Sequence, residues 1–275
     1  MNTIKLALPL MLALAGGCAQ AEVIPFLGGA QQFAVLGADA VTNSGVSTLH
    51  GDLGVASGTA ITGSKDVVFA SGGALHEGDA RAIAAQSDAR AAYARLAGLG
   101  GAIDLTGQDL GGLGILSAGV YRFATSAALT GALTIDFAND PHGVVVFQIG
   151  STLTTAASSL VNVINGTSSN GIYFQVGSSA TLGAASSLVG NILAQHSVSF
   201  GAAASIGCGR ALATAVTLLG NTILNDCGAG DDGSAGYSGF GVAAVAPGEV
   251  PEPATLALFG LGLGALATRR PRRRA

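Results

Sequence analysis

Between Val144 and Ile223, strand-length apolar runs alternate with Gly, Ser and Asn corners, and the pattern returns on itself. Phe147-Gln148-Ile149-Gly150-Ser151 comes back as Phe174-Gln175-Val176-Gly177-Ser178, and Ala156-Ala157-Ser158-Ser159-Leu160-Val161 comes back as Ala184-Ala185-Ser186-Ser187-Leu188-Val189. Offsets of 27 and 28 residues are what stacked solenoid coils leave in a chain. Two kinds of strand can be told apart. Val144 to Ile149 and Ile172 to Val176 are apolar throughout except for one Gln each, which predicts burial on both sides. Thr152-Leu153-Thr154, Ala180-Thr181-Leu182 and Val216-Thr217-Leu218 alternate instead, with Leu or Val inward and Thr outward on a face open to water. Shorter runs from Gln31 to Phe69, such as Phe33-Ala34-Val35-Leu36 and Val67-Val68-Phe69, read as further strands between tight corners.

Asp79 to Ala97 breaks this pattern, with nine alanines and neither Gly nor Pro. Asp79 is placed to cap a helix and Gly98 to end it, so one helix is expected over about 79–97. A stripe of small residues at Ala80, Ile83, Ala84, Ser87, Ala91 and Ala94 predicts the side laid against a sheet. At ~1.5 Å per residue the rod is ~28 Å long, close to six strands stacked at ~4.8 Å, so it should run along the stack, over the strands buried on both sides. The expected architecture is mainly β: an irregular β-solenoid with one companion helix, over residues 22–228.

Composition sharpens this picture. With 43 Gly, no Trp and 10% charged residues, the surface is built of small uncharged side chains. The net charge of −4 conceals an acidic body, because five of the twelve basic residues lie at Arg269, Arg270, Arg272, Arg273 and Arg274 and one is Lys5. Residues 22–250 hold six basic and fifteen acidic groups, near −9, which argues against nucleic acid as a partner.

The two ends carry addresses. Lys5, the apolar run Leu6 to Leu14 and Ala19-Gln20-Ala21 have the form of a signal peptide over residues 1–21, with a lipoprotein-type start at Cys18 as the competing reading. A glycine-rich stretch over 229–249 reads as a linker. It leads into Val250-Pro251-Glu252-Pro253, an apolar run from Ala254 to Ala267 and the arginine cluster. The run is short for a stable span and the arginines orient it toward the cytoplasm. Together, residues 250–275 resemble the PEP-CTERM sorting signal of Gram-negative bacteria. That likeness implies a transient membrane anchor, recognition by an exosortase-type enzyme near Pro251-Glu252-Pro253, and delivery to the cell surface or beyond it. Gly260, Gly262 and Gly264 within the segment fit helix packing better than nucleotide binding.

Catalytic patterns are missing. His50, His76, His142 and His196 are scattered, and neither a GxSxG elbow nor a phosphate-binding loop occurs. Asp52 and Asp109 stand in turn contexts that suit capping a corner. Cys208 and Cys227, 19 residues apart, are about one coil apart, and a neighbouring coil at ~4.8 Å is within reach of a disulfide; a zinc site is the weaker reading. No enzyme activity, metal or cofactor is expected.

From Phe33 to Leu224 the chain resembles the ice-binding protein family. The likeness rests on Phe33-Ala34-Val35-Leu36, Gly51-Asp52-Leu53-Gly54-Val55, Leu105-Thr106-Gly107-Gln108-Asp109-Leu110, Gly119-Val120-Tyr121-Arg122-Phe123, Phe147 to Ser151 and Gly209-Arg210-Ala211-Leu212. It implies a right-handed irregular β-solenoid with a long helix alongside. It also implies adsorption to ice through a flat β-face, acting as an antifreeze, an inhibitor of recrystallisation or an ice adhesin. The outward residues expected on that face are Thr62, Thr130, Thr152, Thr154, Thr181, Ser199 and Thr217. A monomer is expected, with ice as its partner. The alternative is a structural or adhesive protein of the extracellular matrix on the same fold.

Overall fold

Each coil contributes short strands that pair in parallel with the coils on either side, and three faces result. The computed structural model describes residues 27–225 apart from Thr59, His142, Ser168 and Ser169. These fall in one compact unit, Ile24–Val242. The expected signal peptide, Cys18, Cys227, the linker and the sorting segment lie outside the described residues.

The first face runs through Ile103–Asp104, Gly119–Phe123, Val144–Ile149, Gly171–Val176 and Asn191–Ala194, then Asp52–Val55 and Leu75–Glu77. The second runs through Ala127–Leu129, Leu153–Thr155, Ala180–Leu182, Ser197–Phe200 and Ile61–Thr62. Two long strands, Phe33–Ser44 and Ala211–Leu219, bend around a corner and belong to both, which makes these faces one 14-stranded sheet. The third face is a separate 8-stranded sheet that includes Ala132–Asp136, Leu160–Ile164 and Ser47–His50.

Coil order in space departs from coil order in sequence. Phe33–Ser44 lies between Ala211–Leu219 and Asp52–Val55, so the first coil is wedged between the last and the second. From Glu77 the chain must then return to the far end of the stack, where Ile103–Asp104 forms the edge strand. That is eight ladder steps, ~38 Å. The helix Ala80–Ala97 covers ~27 Å of it and touches strands from Leu75–Glu77 to Val144–Ile149 on the way. A helix along the axis is thus the connection that this coil order requires.

Coil lengths vary. Phe147 pairs with Phe174, 27 residues on (174 − 147), but Tyr173 pairs with Asn191, only 18 on (191 − 173). The 28-residue offset seen in the second repeated segment is not a pairing register, because Leu160 stands opposite Ser187, not Leu188. Ser158 and Ala185, both at positive φ and 27 apart (185 − 158), mark the same corner of successive coils. Leu160 therefore points outward while Leu188 is buried.

Inside the solenoid Tyr121, Phe147 and Phe174 stack, with ring centroids 5.7 and 4.9 Å apart. The strands expected to be buried on both sides are so: from Val145 to Ile149 and throughout Gly171–Val176 every residue is buried. Val146, Tyr173, Leu193, Leu212 and Leu36 pack outward against the helix. The interrupting glutamines tie down its C-terminal half. Gln148 Nε2 donates to the carbonyls of Leu96 and Leu99 at 2.8 and 2.9 Å, and Gln175 Nε2 donates to the Tyr93 hydroxyl at 2.6 Å.

Asp79 caps the helix as expected, its side chain accepting from the Ala82 amide at 2.8 Å. The buried side of the helix is, however, opposite to the expected stripe. Ala82, Ala85, Gln86, Ala89, Ala92 and Leu96 face the solenoid, while Ala80, Ile83, Ala84, Ser87, Ala91 and Ala94 face solvent. With alanine on every side, small residues could not discriminate; the buried side is the one on which Leu96 and Tyr93 repeat back through Ala92, Ala89, Ala85 and Ala82 at helical spacing, while Ile83 is left 53% exposed. Replacing Ala85, which is fully buried, by leucine should overpack this contact and destabilise the fold by about 2 kcal/mol. The same change at Ala84 should be neutral within about 0.5 kcal/mol. Urea unfolding of the two variants checks the assignment, and equal losses would contradict it.

Candidate functional site: the threonine face

Alternation along the second face turns one residue in two outward, and the parallel register aligns these into rows. Thr62, Thr42, Thr217, Ser199, Thr181 and Thr154 stand on successive neighbouring strands, followed by Ala128. Seven rungs at ~4.8 Å make a row ~29 Å long. Beside it, two residues and so ~6.6 Å away along the strands, runs a second row that includes Ala40, Ala215, Ser197, Ser179, Thr152 and Ser126. In this row Ser197 and Ser179 hydroxyls are 3.0 Å apart and Thr152 Oγ1 is 2.8 Å from Ser126 Oγ. Beneath, Val41, Val216, Val198, Leu153 and Leu182 fill the interior, which holds the outward side chains on a rigid, level base.

Five of the seven expected positions, Thr62, Thr154, Thr181, Ser199 and Thr217, share the central row. Thr152 belongs to the adjacent row. Thr130 is exposed just past Ala127–Leu129, at the corner, where its amide donates to Asp109. Thr42 completes the central row and was missed. The repeat visible from Val144 onward gave no reason to expect the first coil beside the last, which is what brings Thr42 between Thr62 and Thr217.

The third face is a poor rival. Its outward positions mix Thr48, Thr222, Ser187 and Ser205 with Ile115, Val68 and Leu160, which are 63%, 50% and 42% exposed. Large branched side chains beside short hydroxyls make it uneven.

Polar chemistry elsewhere serves the corners. Asp109 Oδ1 accepts from the amides of Gly111 and Thr130 at 2.8 and 2.9 Å, the corner role expected of it. Asp52 does likewise through Oδ1 to the Ala74 amide, and its Oδ2 lies 3.0 Å from Arg81 and 3.3 Å from His76, which in turn meets Asp79 at 2.7 Å. This cluster clasps the start of the helix to the terminal coil. Among the described residues no group of three or more His, Cys, Asp or Glu is arranged to hold a metal ion. Cys208 is disulfide-bonded.

Several corner carboxyls are held below their ordinary range: Asp79 by the Ala82 amide and then by His76, Asp104 by the hydroxyl and amide of Thr106, Asp136 by the Asn165 side chain and the Ala138 amide. A lowered folded-state value means that the stabilisation is complete above the unfolded carboxyl value of ~4 and is lost as pH falls through the lower folded values. Melting temperature should therefore be flat from neutral pH to about 4 and fall below it; thermal melts across that range test the sign.

With this geometry in view, the comparisons with known proteins decide the family. Residues 35–224 match the family described as Ice-binding-like, and residues 249–274 match the PEP-CTERM protein-sorting motif. The chain belongs to the ice-binding family. A relative from Nostoc sp. (strain HG1), named ice-binding protein, is 45% identical over 251 residues, covering 90% of this chain and 87% of the relative. Another so named, from Flavobacterium frigoris (strain PS1), is 32% identical over 210 residues, covering 72% and 75%. Among solved structures, the ice-binding protein of the Antarctic ascomycete Antarctomyces psychrotrophicus superposes with a TM-score of 0.69 at 38% identity, covering 73% of this chain and 97% of that one. The ice-binding β-solenoid with its companion helix is thus the fold expected from the sequence.

Proposed function

We propose that this ice-binding family member is exported, works at the surface of a Gram-negative cell or outside it, and adsorbs to ice through the threonine face without covalent chemistry. Membership of the family supports the ice-binding reading over a purely structural one. The observation that carries the assignment of the face is the row from Thr62 to Ala128. Short side chains, most bearing both a methyl and a hydroxyl, repeat at one spacing on a level sheet, so that methyls can seat in water cages while hydroxyls complete them. Each such contact is weak, and affinity comes from their number acting at once. The sorting motif supports export and the transient anchor, with exosortase-type processing near Pro251-Glu252-Pro253. We assign the ends accordingly: residues 1–21 as signal peptide and 229–249 as linker. Cys227 is the natural partner of Cys208, because Cys18, the third cysteine, falls within the proposed signal peptide.

Purified mature protein, as a monomer, should arrest recrystallisation in annealed frozen sucrose and produce thermal hysteresis. A protein that is folded by circular dichroism yet inactive in both assays would refute the reading.

A further inference from the structure

The helix does not seal the face it covers. Along the side nearer the threonine face two cavities, about 800 and 350 Å³, share Tyr93 and Gln195 and so adjoin along a groove between the helix and the solenoid corner, where the Gln175–Tyr93 hydrogen bond ties the two sides together. Gln86, Arg90 and Tyr93, on one stripe of the helix, supply one wall. Arg122, Gln175 and Gln195 supply the other. The lining rungs run from Asp104 through Arg122, Gln148, Gln175 and Leu193 to Leu212, five ladder steps or ~24 Å.

We propose that this groove binds a strand of carboxylated polysaccharide, separately from ice. Three features define the ligand. The groove is long and open, which suits an extended polymer better than a compact small molecule. Its polar groups include the side-chain amides of Gln148, Gln175 and Gln195; the donors of the first two are committed to the helix, their carbonyl oxygens can accept from sugar hydroxyls, and the Tyr93 ring adds an apolar surface for the C–H side of a sugar. The charge adds the carboxylate. In a domain that is acidic overall, Arg90 and Arg122 both line the groove, and among the described residues neither makes an ion pair. The one carboxylate in the lining, Asp104, accepts from the Thr106 hydroxyl and amide at 2.5 and 2.9 Å and stands opposite Arg122 on the next strand, whose charge also helps to hold it ionised, so a uronate would share Arg122 with it. A guanidinium presents the donor fork that a uronate carboxylate matches.

Isothermal titration of the mature protein with oligogalacturonate, with neutral xylo-oligosaccharide and with a polyglutamate peptide of similar length tests the proposal. The expected result is saturable binding of oligogalacturonate that is at least tenfold tighter than that of either comparison ligand. Arg122→Ala and Gln195→Ala should each weaken it several-fold while leaving recrystallisation inhibition unchanged. The neutral Gln195 change matters, because indiscriminate charge attraction would not respond to it. Absence of saturable binding, polyglutamate binding as tightly as the uronate, or indifference to both substitutions would overturn the assignment.

Discussion

Replacing Arg210 by alanine should cost about 4 kcal/mol of folding stability, the largest loss we expect from any single change in the solenoid. Arg210 is fully buried. Its Nε donates to the Gln31 carbonyl at 2.7 Å, one terminal nitrogen to Asn191 Oδ1 at 2.9 Å and the other to the Asn225 carbonyl at 3.2 Å. These partners come from the segment entering the first coil, from the coil beneath and from the end of the last coil. Arg210 therefore pins the seam where the two ends of the fold meet, and the intervening coils cannot substitute for it. Truncation would strand three buried acceptors at about 1–3 kcal/mol each, partly recovered by relaxation, and would leave a cavity beside Tyr173. The Tyr173 hydroxyl, its pKa raised by burial, stays neutral across the usable pH range. Lysine should rescue little, because one ammonium cannot reach acceptors arranged around a planar fork. Urea unfolding read by far-ultraviolet circular dichroism measures the effect. A loss below about 1 kcal/mol would show that the seam is held by packing alone.

How much of this could be read beforehand follows from which signals are local. Strand character and its two kinds were legible, because alternation in Ala180-Thr181-Leu182 and its absence in Ile172 to Val176 each reflect what lies on the two sides of one strand. The helix ends were legible because capping involves only residues three or four apart, as Asp79 and Ala82 are. The helix phase was not, since alanine is acceptable on either side and the large residues divide, Tyr93 and Leu96 toward the solenoid and Ile83 toward solvent. Neither was the coil order. Nothing near Phe33 announces that its strand will lie against Ala211–Leu219, almost the whole domain away, and so the place of Thr42 in the row and the role of Arg210 stayed hidden. Arg210 was visible only as part of a short matching segment. A charged residue directly before a mainly apolar strand, Ala211–Leu219, was the available hint that a buried network was being built.

Thr181→Tyr should abolish most recrystallisation inhibition while leaving stability almost untouched. Thr181 is exposed and lies near the middle of the row, between Thr154 and Ser199, above a strand whose buried neighbours Ala180 and Leu182 are unchanged by the substitution. Its loss removes no core contact, so the folding cost should stay within about 0.5 kcal/mol. The consequence for adsorption is different. A phenol ring stands several ångströms above a layer of threonines, so a planar lattice resting on it cannot also touch Thr154, Ser199 or the adjacent row. Because the contacts are individually weak and act together, separating the surfaces at one central point removes many at once. Thr181→Ala, by contrast, deletes one hydroxyl and keeps the face level, and Ala128 already shows that the row accommodates an alanine; it should cost at most about threefold in the concentration needed for inhibition, under 1 kcal/mol. Tyrosine at Leu160, an exposed site on the third face, supplies the control and should retain activity. The order expected in a splat assay is therefore wild type and Leu160→Tyr together, Thr181→Ala slightly weaker, and Thr181→Tyr far behind. Full activity in Thr181→Tyr, or its loss in Leu160→Tyr, would move the ice-binding surface to another face of the solenoid.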